Sequence, residues 1–404
     1  MALSLLTLFS AARVDVRLVN RSLFAPSPAA WKAATQCAPG RAIAIGSQPR
    51  PFAFSPARTR LANGRPGATV LPLLLVGDPR WSAKKGLFNV STLANWHRRM
   101  LSPHSITLLL LLARRFTVEN LPQALEYARR LGLMPLACNS SAVAGDCAAL
   151  VSVDEGYVAY TYDDDPTDTI WPSTVLMGVI TVPEPGWARA RSPAQLAEFR
   201  TRTCSAARYQ YVLGTNWYAH DLFRLRILDF FDWFLKIDGD IHLLATLPHH
   251  PAADASASRA LFAFSSRWPL RDRQDCTIGV AAFVRDYIKN ESAACGAPVV
   301  PTAAEFGWFN DSRTAFYSNF VAGWLGYFAS PQLLRFSAHW YAHTPGMWAH
   351  RHTDQQYWCH ALGLVSRGKE DWSDISAWRD RYFCHNKECR RHGDLLERRI
   401  HLRK

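Results

Sequence analysis

The sharpest chemical feature of the chain is Asp238-Gly239-Asp240, which follows directly on the apolar run Trp233–Ile237. In open α/β sheets, ligands bind outside the carboxyl ends of the strands. Two carboxylates two residues apart face the same side while the chain stays extended. Together they can hold a divalent metal, directly or through water. Such an ion would bridge the two phosphates of a nucleotide-sugar and would neutralise charge growing on the departing diphosphate. Gly239 would let that diphosphate approach closely, and His242 continues the same face as a further ligand candidate. The competing reading is a tight surface turn, for which Asp-Gly-Asp is equally well suited.

Other residues could serve the same chemistry. Asp354 stands where the Thr353-x-x-Gln356 capping box opens a helix. There it could contact a donor or acceptor hydroxyl, or simply complement the helix dipole. Arg224, on a helix expected over Asp221–Phe231, could clamp a phosphate or lie on a solvated face. Trp324 and Trp348 could stack on acceptor sugar rings or belong to the core. His385 is a candidate third metal ligand or an exposed histidine in a basic tail.

The elements that must position these groups alternate between strand and helix. Val70–Val76, Ser105–Leu112 and Trp233–Ile237 read as buried strands. Glu119–Leu131 has an apolar helical face at Leu121, Ala124, Leu125 and Ala128. Phe320–Tyr327 reads as a strand. Ser330-Pro331 opens a helix through Tyr341, with Ser as N-cap and Pro at the first position. The alternation predicts an open α/β sheet. Residues 1–66 read as a poorly ordered stem, 67–392 as one large domain and 393–404 as a basic tail.

Composition narrows the function classes. The 404 residues are 49% hydrophobic and 20% charged, enough for a sizeable core and too apolar for global disorder. The net charge of +13 favours phosphate- or carboxylate-bearing partners. Basic residues are scattered except in the tail from Lys387 to Lys404, and no nucleic-acid-binding motif occurs, so nucleic acid is not an expected partner. No apolar run of about 18 residues exists, which excludes a membrane bundle. Met1–Ala12 is a poor signal peptide, and a membrane anchor missing from this sequence is an equal alternative. Nine cysteines form no Cys-x-x-Cys pair, which argues against a zinc ribbon. Five of eleven asparagines, Asn20, Asn89, Asn139, Asn290 and Asn310, open glycosylation sequons, which hints at the secretory route.

The stretch Tyr209–His242 resembles the central block of the yeast-type Golgi α-1,2-mannosyltransferases, glycosyltransferase family 15. In that family an aromatic-rich segment leads into a strand ending Trp-Arg-Val-Glu-Pro-Asp-Val, and Asp238 and Asp240 take the places of its Glu and Asp. Tyr317-Ser-Asn-Phe320 resembles the family's Trp-Ser-Asn-Phe. Arg351-His-Thr-Asp354 resembles its Arg-Trp-Gly-Asp, and Tyr382-Phe-Cys-His385 its C-terminal aromatic-His segment, where a His contributes to the metal site. The match keeps its order over residues 205–390. The resemblance implies a single GT-A-type domain with a Rossmann-like sheet. It also implies Mn2+ (or Mg2+), GDP-mannose as donor, a glycan or glycoprotein acceptor, a Golgi location and retention at the anomeric carbon.

The combined expectation is a metal-dependent hexosyltransferase. Asp238 and Asp240 would bind the metal with His385. Asp238, Gly239, Asp240 and Arg224 would hold the nucleotide-sugar, and Asp354 and Asp238 would act in catalysis. The alternatives are a metal-dependent phosphoryl or nucleotidyl transferase and a non-catalytic glycan- or polyanion-binding protein on a degenerate transferase fold.

Overall fold

The computed structural model describes residues between 69 and 385, leaving out 78–87, 136–156, 163–173, 196–208, 265–269, 296–313, 343–349, 366–370, 376–380 and a few shorter stretches. The stem and the tail therefore lie outside the described residues, as does Trp348.

The strands are β1 (Thr69–Leu75), β2 (Thr107–Ala113), β3 (Leu133–Pro135), β4 (Tyr157–Tyr162), β5 (Thr174–Ile180), β6 (Trp233–Ile237), β7 (Ile241–Leu243), β8 (Phe262–Phe264), β9 (Leu270–Arg271), β10 (Thr314–Ala315), β11 (Phe320–Trp324), β12 (Trp372–Asp374) and β13 (Phe383–His385). Nine of them build one sheet in the order β12-β8-β11-β6-β1-β2-β5-β4-β3. Its centre is parallel, with β1 flanked by β2 and β6 and β2 followed by β5. Antiparallel β11 is inserted between β6 and β8.

The sequence explains why β1 and β2 sit at the centre. Thr-Val-Leu-Pro-Leu-Leu-Leu and Thr-Leu-Leu-Leu-Leu-Leu-Ala are apolar at nearly every position, as a strand covered on both faces requires. Their side chains feed two separate cores. Val70, Leu109, Leu111 and Phe234 pack on one face against helices Tyr209–Ala219, Pro331–Ala342 and Asp354–Val365. Leu71, Leu108, Leu110 and Leu235 pack on the other, against Val90–Trp96 and Leu121–Arg130. The result is a layered α/β domain.

Several local expectations shift. The helix expected over Asp221–Phe231 is absent among the described residues there, where Leu222–Arg224 forms a 3-10 turn. The helix lies earlier, at Tyr209–Ala219, and is buried at Tyr209, Val212, Leu213, Asn216, Trp217, Tyr218 and Ala219. Its buried face carries the polar Asn216 and its outer face the half-exposed Tyr211, and that mixing removes the amphipathic contrast that would have marked it. The strand expected over Phe320–Tyr327 ends at Trp324, and Leu325–Phe328 turns helical. Gly323 is required there, because an added Cβ would come within 2.3 Å of the Phe234 ring and 2.6 Å of the Phe328 ring.

Candidate active site at the carboxyl end of the sixth strand

Strand order reverses at β1. Strand β2 lies on one side of β1, the chain then fills that side from the edge inward through β3, β4 and β5, and β6 follows on the other side of β1. Such a reversal opens a crevice at the carboxyl ends of the strands, and Asp238 follows the last residue of β6.

The backbone does not stay extended through the motif. Ile241 N donates to Asp238 O at 3.0 Å, closing a turn over Gly239 and Asp240. The turn chemistry of Asp-Gly-Asp therefore prevails, and it replaces the same-side projection that an extended chain would give. Asp238 and Asp240 nonetheless stay partly exposed at the strand end. Gly239 has a steric reason of its own, since a Cβ would meet the Phe88 Cβ at 3.2 Å. His242 lies past the turn on β7, exposed, with Nε2 3.2 Å from Asn95 Nδ2. Burial first, then the nearby Arg99, pushes its pKa down.

The fold brings distant segments to this turn. Asp238 N donates to Asn319 O at 3.1 Å, so the Ser318-Asn319 pair sits against the strand end. β13 pairs antiparallel with β7, placing the His385 backbone opposite Ile241, one residue beyond Asp240. Asp354 opens its helix as expected, with Gln356 Oε1 accepting from Thr353 N at 2.8 Å in the capping box. Its side chain is buried.

Lys236 links these groups, and its importance was not read from the sequence. It is buried in β6, at 4% exposure. Its Nζ donates to Asp238 Oδ1 at 2.7 Å and to Ser318 O at 2.7 Å, and lies 3.1 Å from Asp354 Oδ2. The ammonium also lies 5.1 Å from the Tyr218 ring centroid and 5.7 Å from that of Trp358. Desolvation disfavours its charge, but Asp238, Asp354 and Tyr218 more than offset that and raise its pKa. Lys236 is therefore charged throughout the physiological range. Burial raises the pKa of Asp354, Lys236 draws it part of the way back, and Asp238 pushes it up again. Asp354 Oδ2 faces the Lys236 ammonium across this 3.1 Å ion pair and is otherwise enclosed. The one available signal was a lysine inside an otherwise apolar strand, two residues before Asp238.

Two expected site residues lie elsewhere. Arg224 is buried, and its guanidinium donates to His220 O and to Leu334 O, the latter at 2.6 Å. Those carbonyls give it a structural role in place of phosphate binding. Trp324 pairs with Trp233, the first residue of β6. That is the opposite end of the strand, about 16 Å from Asp238 at the usual rise per residue. It packs on the core there, which removes it from the acceptor side.

Among the described residues no cluster of three or more His, Cys, Asp and Glu is assembled to hold a metal. The donors present still fit one kind of metal chemistry. A hard divalent cation that keeps several waters and shares substrate phosphates needs only one or two protein carboxylates, and Asp238 and Asp240 supply two.

No family model and no curated protein sequence matches the chain. Solved structures do. Core-mannan synthase A of Aspergillus fumigatus, in its Mn/GDP form, aligns over 77% of this chain and 73% of its own, at 12% identity and a TM-score of 0.52. The mannosyltransferase Ktr4p of S. cerevisiae aligns over 76% of this chain and 68% of its own, at 11% identity and a TM-score of 0.48. The domain thus has the GT-A-type nucleotide-sugar transferase fold that the resemblance implied.

Proposed function

We propose that this protein is a metal-dependent glycosyltransferase that moves a hexose, mannose from GDP-mannose, to a glycan or glycoprotein acceptor. The observation that carries the reading is the gathering of Asp238, Asp240, Lys236, Asp354 and the His385 backbone at the carboxyl end of β6. That gathering stands at the switch point of a fold shared with a mannan synthase solved with Mn and GDP.

Asp238 and Asp240 would hold Mn2+ or Mg2+, with His385 completing the site. When bound, the metal supplies charge stabilisation to the departing diphosphate. The chain's own residues do the positioning. One ammonium, Lys236, faces two carboxylates directly, with Asp240 beside them. Carboxylates gathered at a strand end suit a hard divalent cation. Lys236 occupies Asp238 Oδ1 and leaves Oδ2 for a ligand. It also fixes Asp354, the carboxylate we assign to a reacting hydroxyl. Fixed orientation and preorganised charge are the main sources of rate in such transfers. The reading carries retention, with the acceptor hydroxyl entering on the face the diphosphate leaves. Trp348 remains the candidate for stacking on the acceptor sugar.

We place the protein in the secretory pathway. Cys276 and Cys384 are disulfide-bonded, which suits an oxidising compartment.

The test is a transfer assay with GDP-mannose, GDP-glucose, UDP-glucose and UDP-galactose onto mannose oligosaccharides, with product linkage read by NMR. The proposal expects an α-linked mannose product from GDP-mannose, and a kcat about 100-fold lower for Asp240→Ala. Equal turnover by that variant, or product only from another donor, sinks the corresponding part of the reading.

A further inference from the structure

The donor site leaves a separate recess unused. It lies between helix Val280–Cys295 and helix Pro331–Ala342, with a volume of ≈ 380 Å³. That is within the range of ligand cavities, about 300–1,000 Å³. Its walls combine Phe283 and Tyr287 with Asp286, Asn290 and His339. The Tyr287 ring stands 5.0 Å from His339, edge to face. Asp286 and Asn290 are exposed and four residues apart, so they present carboxylate and amide on one helix face. The Glu291–Arg335 ion pair, at 2.5 Å, ties the two helices together and fixes the distance between the walls.

One hydrogen bond ties the edge of the recess to the segment that leads into Asp354. Ile278 is 45% exposed there, and its carbonyl accepts from His352 Nε2 at 2.9 Å. His352 lies two residues before Asp354. Gly279, at φ +82°, turns the chain between this lip and the helix, a conformation that favours glycine.

The lining chemistry selects an occupant. Aromatic walls suit the C–H faces of a sugar ring. Carboxylate, amide and imidazole suit its hydroxyls. A phosphate or sulfate would meet the Asp286 carboxylate, and a purely apolar ligand would strand three polar side chains. We propose that this recess is a subsite for a neutral hexose unit of the acceptor glycan, distinct from the unit that receives the transferred sugar. The inference rests on the transferase reading for the word acceptor, and on the recess alone for sugar binding.

The test uses the full chain carrying Ser292→Ala. That change removes the Asn290-Glu291-Ser292 sequon while keeping the Asn290 amide. Methyl α-mannoside and an α-mannotriose are titrated without donor, by calorimetry and saturation-transfer NMR, with and without Asp286→Ala. The expected result is trisaccharide binding about fivefold to tenfold tighter than the monosaccharide, with that advantage lost in Asp286→Ala. In transfer assays the variant should raise KM for the trisaccharide alone, leaving kcat and GDP affinity unchanged. Equal binding of the two sugars, or a length advantage that survives Asp286→Ala, overturns the subsite. If GDP fails to bind while trisaccharide binding still depends on Asp286, the transferase reading falls and the sugar site stands.

Discussion

At the scale of single residues, the site is organised around a buried cation. Lys236 has carboxylates on two sides and a carbonyl on a third. Removing one partner of a buried ion pair leaves the other charged and desolvated. Lys236→Met should therefore cost about 3–5 kcal/mol, read as a lower urea midpoint. Adding Asp354→Asn to it should recover part of the loss, because the stranded charge goes with it. If the double variant is no more stable than the single one, the two groups are not coupled as described. The sequence disclosed Asp238 and Asp240 because an apolar strand runs straight into them. It could not disclose what Lys236 touches, since Ser318 and Asp354 reach it only through the fold. Arg224 misled for the same reason in reverse. Its helical neighbours Leu222 and Leu225 suggested a solvent face, while the guanidinium finds its carbonyl partner 110 residues away.

At the scale of elements, register decides which residues can meet. Antiparallel pairing of β11 with β6 brings Phe320 to Ile237 and Trp324 to Trp233. The Ser318-Asn319 end therefore joins the site and the Trp324 end leaves it. Strands β1, β2 and β6 were legible because buried parallel strands are continuously apolar. Helix Tyr209–Ala219 was not, because an apolar Tyr211 on its outer face and a polar Asn216 on its buried face blur the pattern. The close contact at Gly323 gives a direct check on the β11–β6 packing. Gly323→Ala should cost about 1–3 kcal/mol by overpacking against Phe234 and Phe328. A denaturation midpoint equal to wild type would mean the rings have room that this packing denies. Thr353→Ala removes the cap residue immediately before Asp354 and should cost about 1 kcal/mol. It should also weaken turnover more than GDP binding, since it loosens the carboxylate assigned to the reacting hydroxyl.

At the scale of the molecule, a strand order that reverses at β1 creates one crevice, and four separated sequence blocks converge beside it. The order of those blocks was visible in the chain. Their convergence was not, because the insertion of β11 between β6 and β8 depends on long-range pairing that no local pattern encodes. The disulfides at Cys276 and Cys384 belong to this scale as well. Reduction should lower the thermal midpoint, since a disulfide contributes about 2–4 kcal/mol, and an unchanged midpoint would deny them a stabilising part. The net charge of +13 suits a phosphate-bearing donor in general terms, and the Asp238 and Asp240 carboxylates after β6 carry the proposal that a metal is the intermediary. Calorimetry of GDP binding with and without Mn2+, on wild type and Asp240→Ala, tests that point most directly. The account predicts heat from GDP only when Mn2+ is present, and its loss in the variant. Metal-independent binding that survives Asp240→Ala, or no binding of GDP at all, would contradict it.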